Sequence, residues 1–135
     1  MIITQATHSD IGTLAVLNKL LIEDEKHPNP MNIEQLAARM SGWLQAEYHG
    51  YLAKMDDRIA AYCLYRDDGQ YYYLRQLYVD RSFRRQSIAT QLLDWMFANI
   101  WTNKKVRLDV LAHNQNAIAF YKQYGFKTHV LGMEK

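Results

Sequence analysis

YYYLRQLYV, Tyr71 to Val79, runs directly into DRSFRRQSIATQLL, Asp80 to Leu93. The first stretch is aromatic and extended enough to read as a strand. The second opens as a polar turn with Arg81, Arg84 and Arg85, then becomes helix at the small residues Ser87 and Ala89. A strand that feeds a helix N-terminus through such a turn makes an anion cradle. The first-turn N–H groups lack intrahelical acceptors and carry a partial positive charge. Period 2 puts Tyr73, Arg75, Leu77 and Val79 on one face of the strand, and Tyr72, Leu74, Gln76 and Tyr78 on the other.

Working outward, Tyr51 to Lys54 and Ile59 to Tyr65 read as strands around the hairpin turn Met55-Asp56-Asp57-Arg58. DDGQ, Asp67 to Gln70, turns the chain into the third strand of an antiparallel meander. After the cradle, Ile88, Leu92, Leu93, Met96 and Ile100 form a core-facing helical stripe. Val106 to Leu111 is predicted as a strand, Asn114 opens a helix closed near Gly125, and Phe126 to Met133 is predicted as a terminal strand. At the other end, Met1 to Gln5 reads as a strand. Thr7 and Ser9 cap a helix whose apolar spacing predicts an end near Ile22. EDEKHPNPMN, holding both prolines, is a loop, and Asn32 with Gln35 forms a capping box for a second helix. The order predicts a single α/β (α+β) domain over residues 1–135. Its parallel strand pair needs a right-handed crossover.

The 135 residues carry 49% hydrophobic and 22% charged side chains, a globular balance. A net charge of +2 is too small to argue for nucleic acid. One cysteine, Cys63, excludes an internal disulfide framework and fits a reducing compartment. No apolar run approaches the roughly 20 residues that span a bilayer, and the start lacks a signal-peptide pattern. The default is a soluble cytoplasmic protein with no membrane partner. The histidines His8, His27, His49, His113 and His129 show no metal-ligand spacing, so no metal is expected.

RRQSIA, Arg84 to Ala89, resembles the Gln/Arg-x-x-Gly-x-Gly/Ala acyl-CoA motif of GNAT-type N-acetyltransferases, and LYV, Leu77 to Val79, precedes it as in that family. LDVLAHNQNAIAFYKQYGF, Leu108 to Phe126, is similar to the family's Leu-x-Val-x-x-x-Asn-x-x-Ala-x-x-Phe-Tyr-x-x-x-Gly-Phe signature. The element order is also that of the family, a mixed, mostly antiparallel sheet flanked by about four helices. The resemblance implies acetyl-CoA as cosubstrate. Its pyrophosphate would lie on the cradle of Arg84, Arg85, Gln86, Ser87, Ile88, Ala89 and Thr90, with charge-assisted bonds from the two arginines. Its pantetheine arm would pair with the strand edge at Leu77, Tyr78 and Val79, between splayed fourth and fifth strands. Asn114 matches the family asparagine near the pantetheine, and as a residue type also suits a helix cap. Ser87 replaces the first motif glycine. If that position requires positive φ, serine fits worse; read alone, Ser87 is simply a helix cap.

The resemblance implies direct transfer to a primary amine of a small molecule or peptide, with Tyr121 as general acid to the departing thiolate. Read alone, Tyr121 and Phe120 are an aromatic pair packing a helix on the sheet. Many relatives carry a glutamate base at the position of Arg75, which cannot deprotonate an ammonium. Arg75 instead suits an acceptor carboxylate or a neighbouring acid. Glu23, Asp24 and Glu25 fall where the family's acceptor site is walled. They either attract a cationic amine or form a solvated helix end. Asn116 reads as a solvated helix residue, His113 as a surface residue and Cys63 as a small buried hydrophobe. The stretch after Phe126 is short beside the strand pair that closes the acceptor pocket in relatives. That admits a peptide or polyamine, or a pocket completed by a second subunit of a homodimer. Two rivals remain: an acyl-CoA sensor without turnover, and a basic nucleic-acid module using Arg75, Arg81, Arg84 and Arg85.

Overall fold

In the computed structural model, which describes residues 1–135, five strands form one sheet. They are β1 (Ile2–Gln5), β2 (Tyr48–Met55), β3 (Arg58–Asp67), β4 (Tyr71–Val79) and β5 (Lys105–Arg107), in that spatial order. β1 to β4 pair antiparallel and β5 runs parallel to β4. Four helices cover the sheet: α1 (Ile11–Asp24), α2 (Ile33–Gln45), α3 (Ile88–Asn99) and α4 (Gln115–Tyr124). This is the mixed, mostly antiparallel α+β architecture expected from the element order.

Local chemistry explains the elements. Asp56 and Asp57 join β2 to β3 with φ of 49° and 65°, the paired left-handed geometry whose twist matches flanking strands. The Asn32 side chain accepts from Gln35 N–H at 2.8 Å while Gln35 accepts from Asn32 N–H at 2.9 Å, so two orphan donors of α2 are satisfied reciprocally. α1 and α2 bury Leu14, Leu17 and Met40 against Tyr48, Leu52, Tyr62 and Tyr78 on one sheet face. α3 buries Ile88, Leu92, Leu93 and Met96 against Ala53, Ala61, Cys63 and Leu74 on the other, where Phe120 and Tyr124 of α4 also pack.

The structure differs from these expectations in four places. α1 continues past Ile22 to Asp24 and stops before Lys26, which turns left-handed at φ 51°; Glu23 and Asp24 therefore belong to its last turn. β5 ends at Arg107 rather than Leu111, and residues 126–133 form no strand. Strand ladders need a neighbouring backbone. The β4–β5 pairing stops at Tyr73 and Arg107, and beyond Phe126 the chain is exposed.

The fourth difference lies in β4. The β3–β4 register slips between Leu64 and Tyr65: Leu64 faces Gln76, but Tyr65 faces Leu74. The extra residue, Arg75, is a β-bulge that resets the side-chain alternation. Tyr72 and Leu74 pack on the α3 side together with Leu77 and Val79. Arg75, Gln76 and Tyr78 all turn towards the α1–α2 side, against Trp43, Tyr62 and the core there. A uniform period of two across Tyr71 to Val79 fails at this point.

Candidate active site

Because β4 and the chain after β5 part beyond Tyr73 and Arg107, a cleft of about 450 Å³ opens between them. Leu74 to Val79 line one wall and Leu108 to Val110 the other, with Asp24 and Glu25 entering from the end of α1 and Asn114 and Tyr121 from α4. The resemblance implies two splayed strands; here β5 is paired along its whole length, and it is the non-strand chain after it that parts from β4. The β4 edge from Leu74 to Val79 has no strand partner on the cleft side.

At the mouth of the cleft, the turn after β4 is built from two left-handed residues, Arg85 at φ 65° and Ser87 at φ 57°. These conformations cost a side-chain-bearing residue about 1–2 kcal/mol each. The Ser87 side chain makes no cap hydrogen bond, so the simple capping reading of this residue does not hold. The first bond of α3 runs from Gln91 N–H to Ser87 C=O at 3.0 Å. The N–H groups of Ile88, Ala89 and Thr90 therefore have no intrahelical acceptor. Gln86 offers its carbonyl to the Gln91 side chain at 3.0 Å.

Arg85 is exposed beside this helix start, but Arg84 is already engaged. Its Nη2 donates to Asp24 at 2.6 Å, and its guanidinium lies over the Tyr78 ring at 5.4 Å. Asp24 also accepts from Arg81 at 2.5 Å and from the Tyr78 hydroxyl at 3.2 Å. Burial alone would raise the Asp24 pKa; the donors from Arg81, Arg84 and Tyr78 outweigh it and hold the carboxyl below its usual range. They also offset the misfit of an acid at a helix C-terminus. Asp24 thus fastens the end of α1 to the cradle.

The three consecutive acids diverge. Glu23 is exposed and lies outside the cleft lining, Asp24 is spent on arginines, and Glu25 faces the cleft. Burial raises the Glu25 pKa, and the charges of His27 and His113 only partly oppose it. Tyr121 faces the same cleft from α4. Burial pushes its phenol well above the usual range, and the Glu25 charge adds to the rise. Its ring also packs edge-on against Phe120 and Phe126 at 5.4 and 5.5 Å, so the packing reading and the cleft position hold together.

Asn114 caps α4 through Oδ1, accepting from Ala117 N–H at 3.3 Å, and lines the cleft. Asn116, expected as a purely solvated residue, is exposed but lines the cleft as well. His113 is not a bare surface residue: its Nε2 sits 2.6 Å from the Glu25 carbonyl oxygen and ties the start of α4 to the end of α1. Cys63 is buried, with its thiol pKa pushed up to about 12 by that burial. It is chemically quiet. Arg75 lines the cleft on the α1–α2 side. Gln76, which the sequence did not single out, is 9% exposed, lines the cleft and accepts from Tyr62 Oη at 2.8 Å. No helix is long and apolar enough to cross a membrane.

Among solved structures the fold is that of acetyltransferases. A possible acetyltransferase from Clostridium difficile 630 aligns at a TM-score of 0.84 with 20% identity, covering 99% of this chain and 95% of that one. A predicted acetyltransferase from Clostridium acetobutylicum, solved with acetyl-CoA, aligns at 0.76 with 20% identity, covering 99% and 94%. An aminoglycoside N-acetyltransferase in complex with CoA aligns at 0.77 with 18% identity, covering 99% and 93%. No curated protein matches the sequence. The Acetyltransferase (GNAT) family model matches residues 15–126, and the chain belongs to that family.

Proposed function

We propose that the protein transfers an acetyl group from acetyl-CoA directly to a primary amine of a small molecule or peptide, within one ternary complex. One observation carries the reading: the cleft brings the Glu25 carboxyl and the half-buried Tyr121 phenol to the open edge of β4. The residues present fit acetyl-CoA. The N–H groups of Ile88, Ala89 and Thr90 lack intrahelical acceptors and suit a pyrophosphate. Arg85 is exposed beside them, Arg84 is held by Asp24 and would be free for a phosphate only on leaving it, and the Leu77–Val79 edge suits the amides of pantetheine. When bound, acetyl-CoA supplies an activated acyl carbon and a thiolate leaving group.

Glu25 takes one proton from the acceptor ammonium, leaving a neutral nitrogen whose lone pair forms the new C–N bond. Tyr121 donates its proton to sulfur as the C–S bond breaks. The second nitrogen proton is shed as the amide forms and the phenolate is reprotonated from solvent, so the products are an amide, CoA thiol and one released proton. A carboxylate whose charged form is disfavoured by burial is a stronger base than one in water. A phenol above its usual range stays protonated throughout the physiological range. Its proton moves only as charge builds on sulfur, because transfer to a free thiolate would be uphill.

Initial rates of thiol release from acetyl-CoA with an amine panel at pH 8 test the reading. Tyr121→Phe and Glu25→Gln are each expected to lower kcat about 10²- to 10⁴-fold while leaving the KM for acetyl-CoA in place. Full kcat in Tyr121→Phe would remove the acid from the scheme. CoA binding with no turnover on any amine would favour the sensor.

A further inference from the structure

The β4 bulge delivers Arg75 to a second guanidinium. The Arg75 and Arg39 guanidinium carbons lie 4.6 and 4.3 Å from the centroid of the same Trp43 ring. Two like charges are thereby held within about 9 Å, where they repel. A third, Arg66, shares the hydroxyl of the buried Tyr48 with Arg75, at 2.5 and 3.2 Å. Arg66 has its own carboxylate, Asp68 at 2.7 Å. Arg39 and Arg75 have none: the other ion pairs join Asp24 to Arg81 and Arg84, and Asp67 to Lys104. Asp109, the acid on the opposite cleft wall, accepts from the Tyr73 hydroxyl at 3.1 Å.

Donors are in surplus here as well as charge. Arg39 Nη2 donates to Asn18 Oδ1 at 3.3 Å, while Arg39 Nε and Asn18 Nδ2 are buried without a hydrogen-bond partner. Asn18 is 0% exposed. Burial, then the Arg75 charge, lowers the Arg39 pKa. Two guanidinium groups share one aromatic ring, with unpaired donors behind them, and neither forms an ion pair with a carboxylate.

We propose that the amine acceptor carries an oxyanion, a carboxylate or a phosphate, which Arg75 binds in the cleft with the charge of Arg39 behind it across Trp43, while the nitrogen lies towards Glu25. This deepens the acetyltransferase reading and rests on it. Planar guanidinium groups suit oxyanions through paired N–H donors, and stacking on Trp43 fixes their planes in advance. The inference replaces a cationic acceptor drawn by acids. Of the three consecutive acids, Glu23 points to solvent, Asp24 is neutralised by two arginines, and Glu25 alone faces the cleft unpaired.

Two measurements on the CoA-saturated protein test it. Saturation with CoA keeps added anions out of the phosphate cradle. Titration with inorganic phosphate, and separately with a short carboxylate such as acetate, is read by tryptophan fluorescence. At least one anion should give a saturable change that Arg75→Met abolishes and Arg39→Met weakens. Which of the two binds tells phosphate from carboxylate acceptors. In turnover, amines bearing the preferred oxyanion should exceed neutral amines of equal length about 10- to 100-fold in kcat/KM. Arg75→Met should erase that preference through KM, with kcat and the KM for acetyl-CoA retained. Spermidine or neutral amines preferred by the unaltered protein, or anion binding unchanged in both variants, would overturn the inference. Failure of CoA to bind at all would instead overturn the acetyltransferase reading, and the anion titration would then judge the arginine site by itself.

Discussion

Ser87→Gly is the substitution whose sign is most directly fixed by the backbone. Ser87 sits at φ 57° and ψ 27°, and its hydroxyl makes no cap bond that glycine would forfeit. Relief of the left-handed strain is worth about 1–2 kcal/mol. The greater freedom of glycine in the unfolded chain removes about 0.5–1 kcal/mol of that. A net stabilisation of roughly 0.5–1 kcal/mol follows, or about 2–4 °C in Tm for a domain of this size. Ser87→Ala keeps the Cβ and loses no hydrogen bond, so it should stay within about 0.5 kcal/mol of the parent. Thermal and urea unfolding of the three proteins decide it. The strain argument is refuted if Ser87→Gly is less stable than the parent, or if alanine matches glycine. The same variants bear on the cradle. Glycine leaves the N–H groups of Ile88 to Thr90 where they are, so CoA affinity should not fall.

Asp24→Asn unfastens α1 from the cradle. Its arginine partners are about half exposed, so the stability loss should be below about 1 kcal/mol. CoA should bind more tightly, because Arg84 is released and a negative charge is removed. Weaker CoA binding would show that the clasp organises the cradle rather than competing with it. The depressed Asp24 pKa adds stability that is present above its unfolded pKa and lost as pH falls through the lower folded value. Acid unfolding of Asp24→Asn should therefore lack that component. The raised Glu25 pKa should appear as an acid limb in kcat/KM displaced above the usual carboxylate range. Glu25→Gln should remove that limb, and its survival would assign the base elsewhere. Leu92→Ala, in a side chain 0% exposed under the sheet, should cost about 2–5 kcal/mol as read by urea unfolding.

Much of the fold was legible because its signals are local. The Asn32–Gln35 box, the Asp56–Asp57 turn and the limits of β4 are set by neighbours in sequence, and each lies where the chain chemistry places it. What the sequence hid is non-local. The bulge at Arg75 depends on the register of β4 against β3, and no pattern within Tyr71 to Val79 reveals it. Residues 126–133 alternate enough to suggest a strand but pair with none. Asp24 and Glu25 are chemically alike, and only the direction of the last turn of α1 sends one to the arginines and the other into the cleft. The pairing of Arg75 with Arg39 spans two elements far apart in sequence and meets through Trp43. The serine at 87 was legible as a misfit, and its left-handed φ explains why glycine is the better residue there.

A crystal structure of the protein with CoA bound tests the central claim most directly. The account predicts the pyrophosphate within hydrogen-bond distance of the N–H groups of Ile88 to Thr90, the pantetheine along the Leu77–Val79 edge, and the sulfur beside the Tyr121 hydroxyl. A pyrophosphate bound away from the start of α3, or a sulfur out of reach of Tyr121, would contradict it.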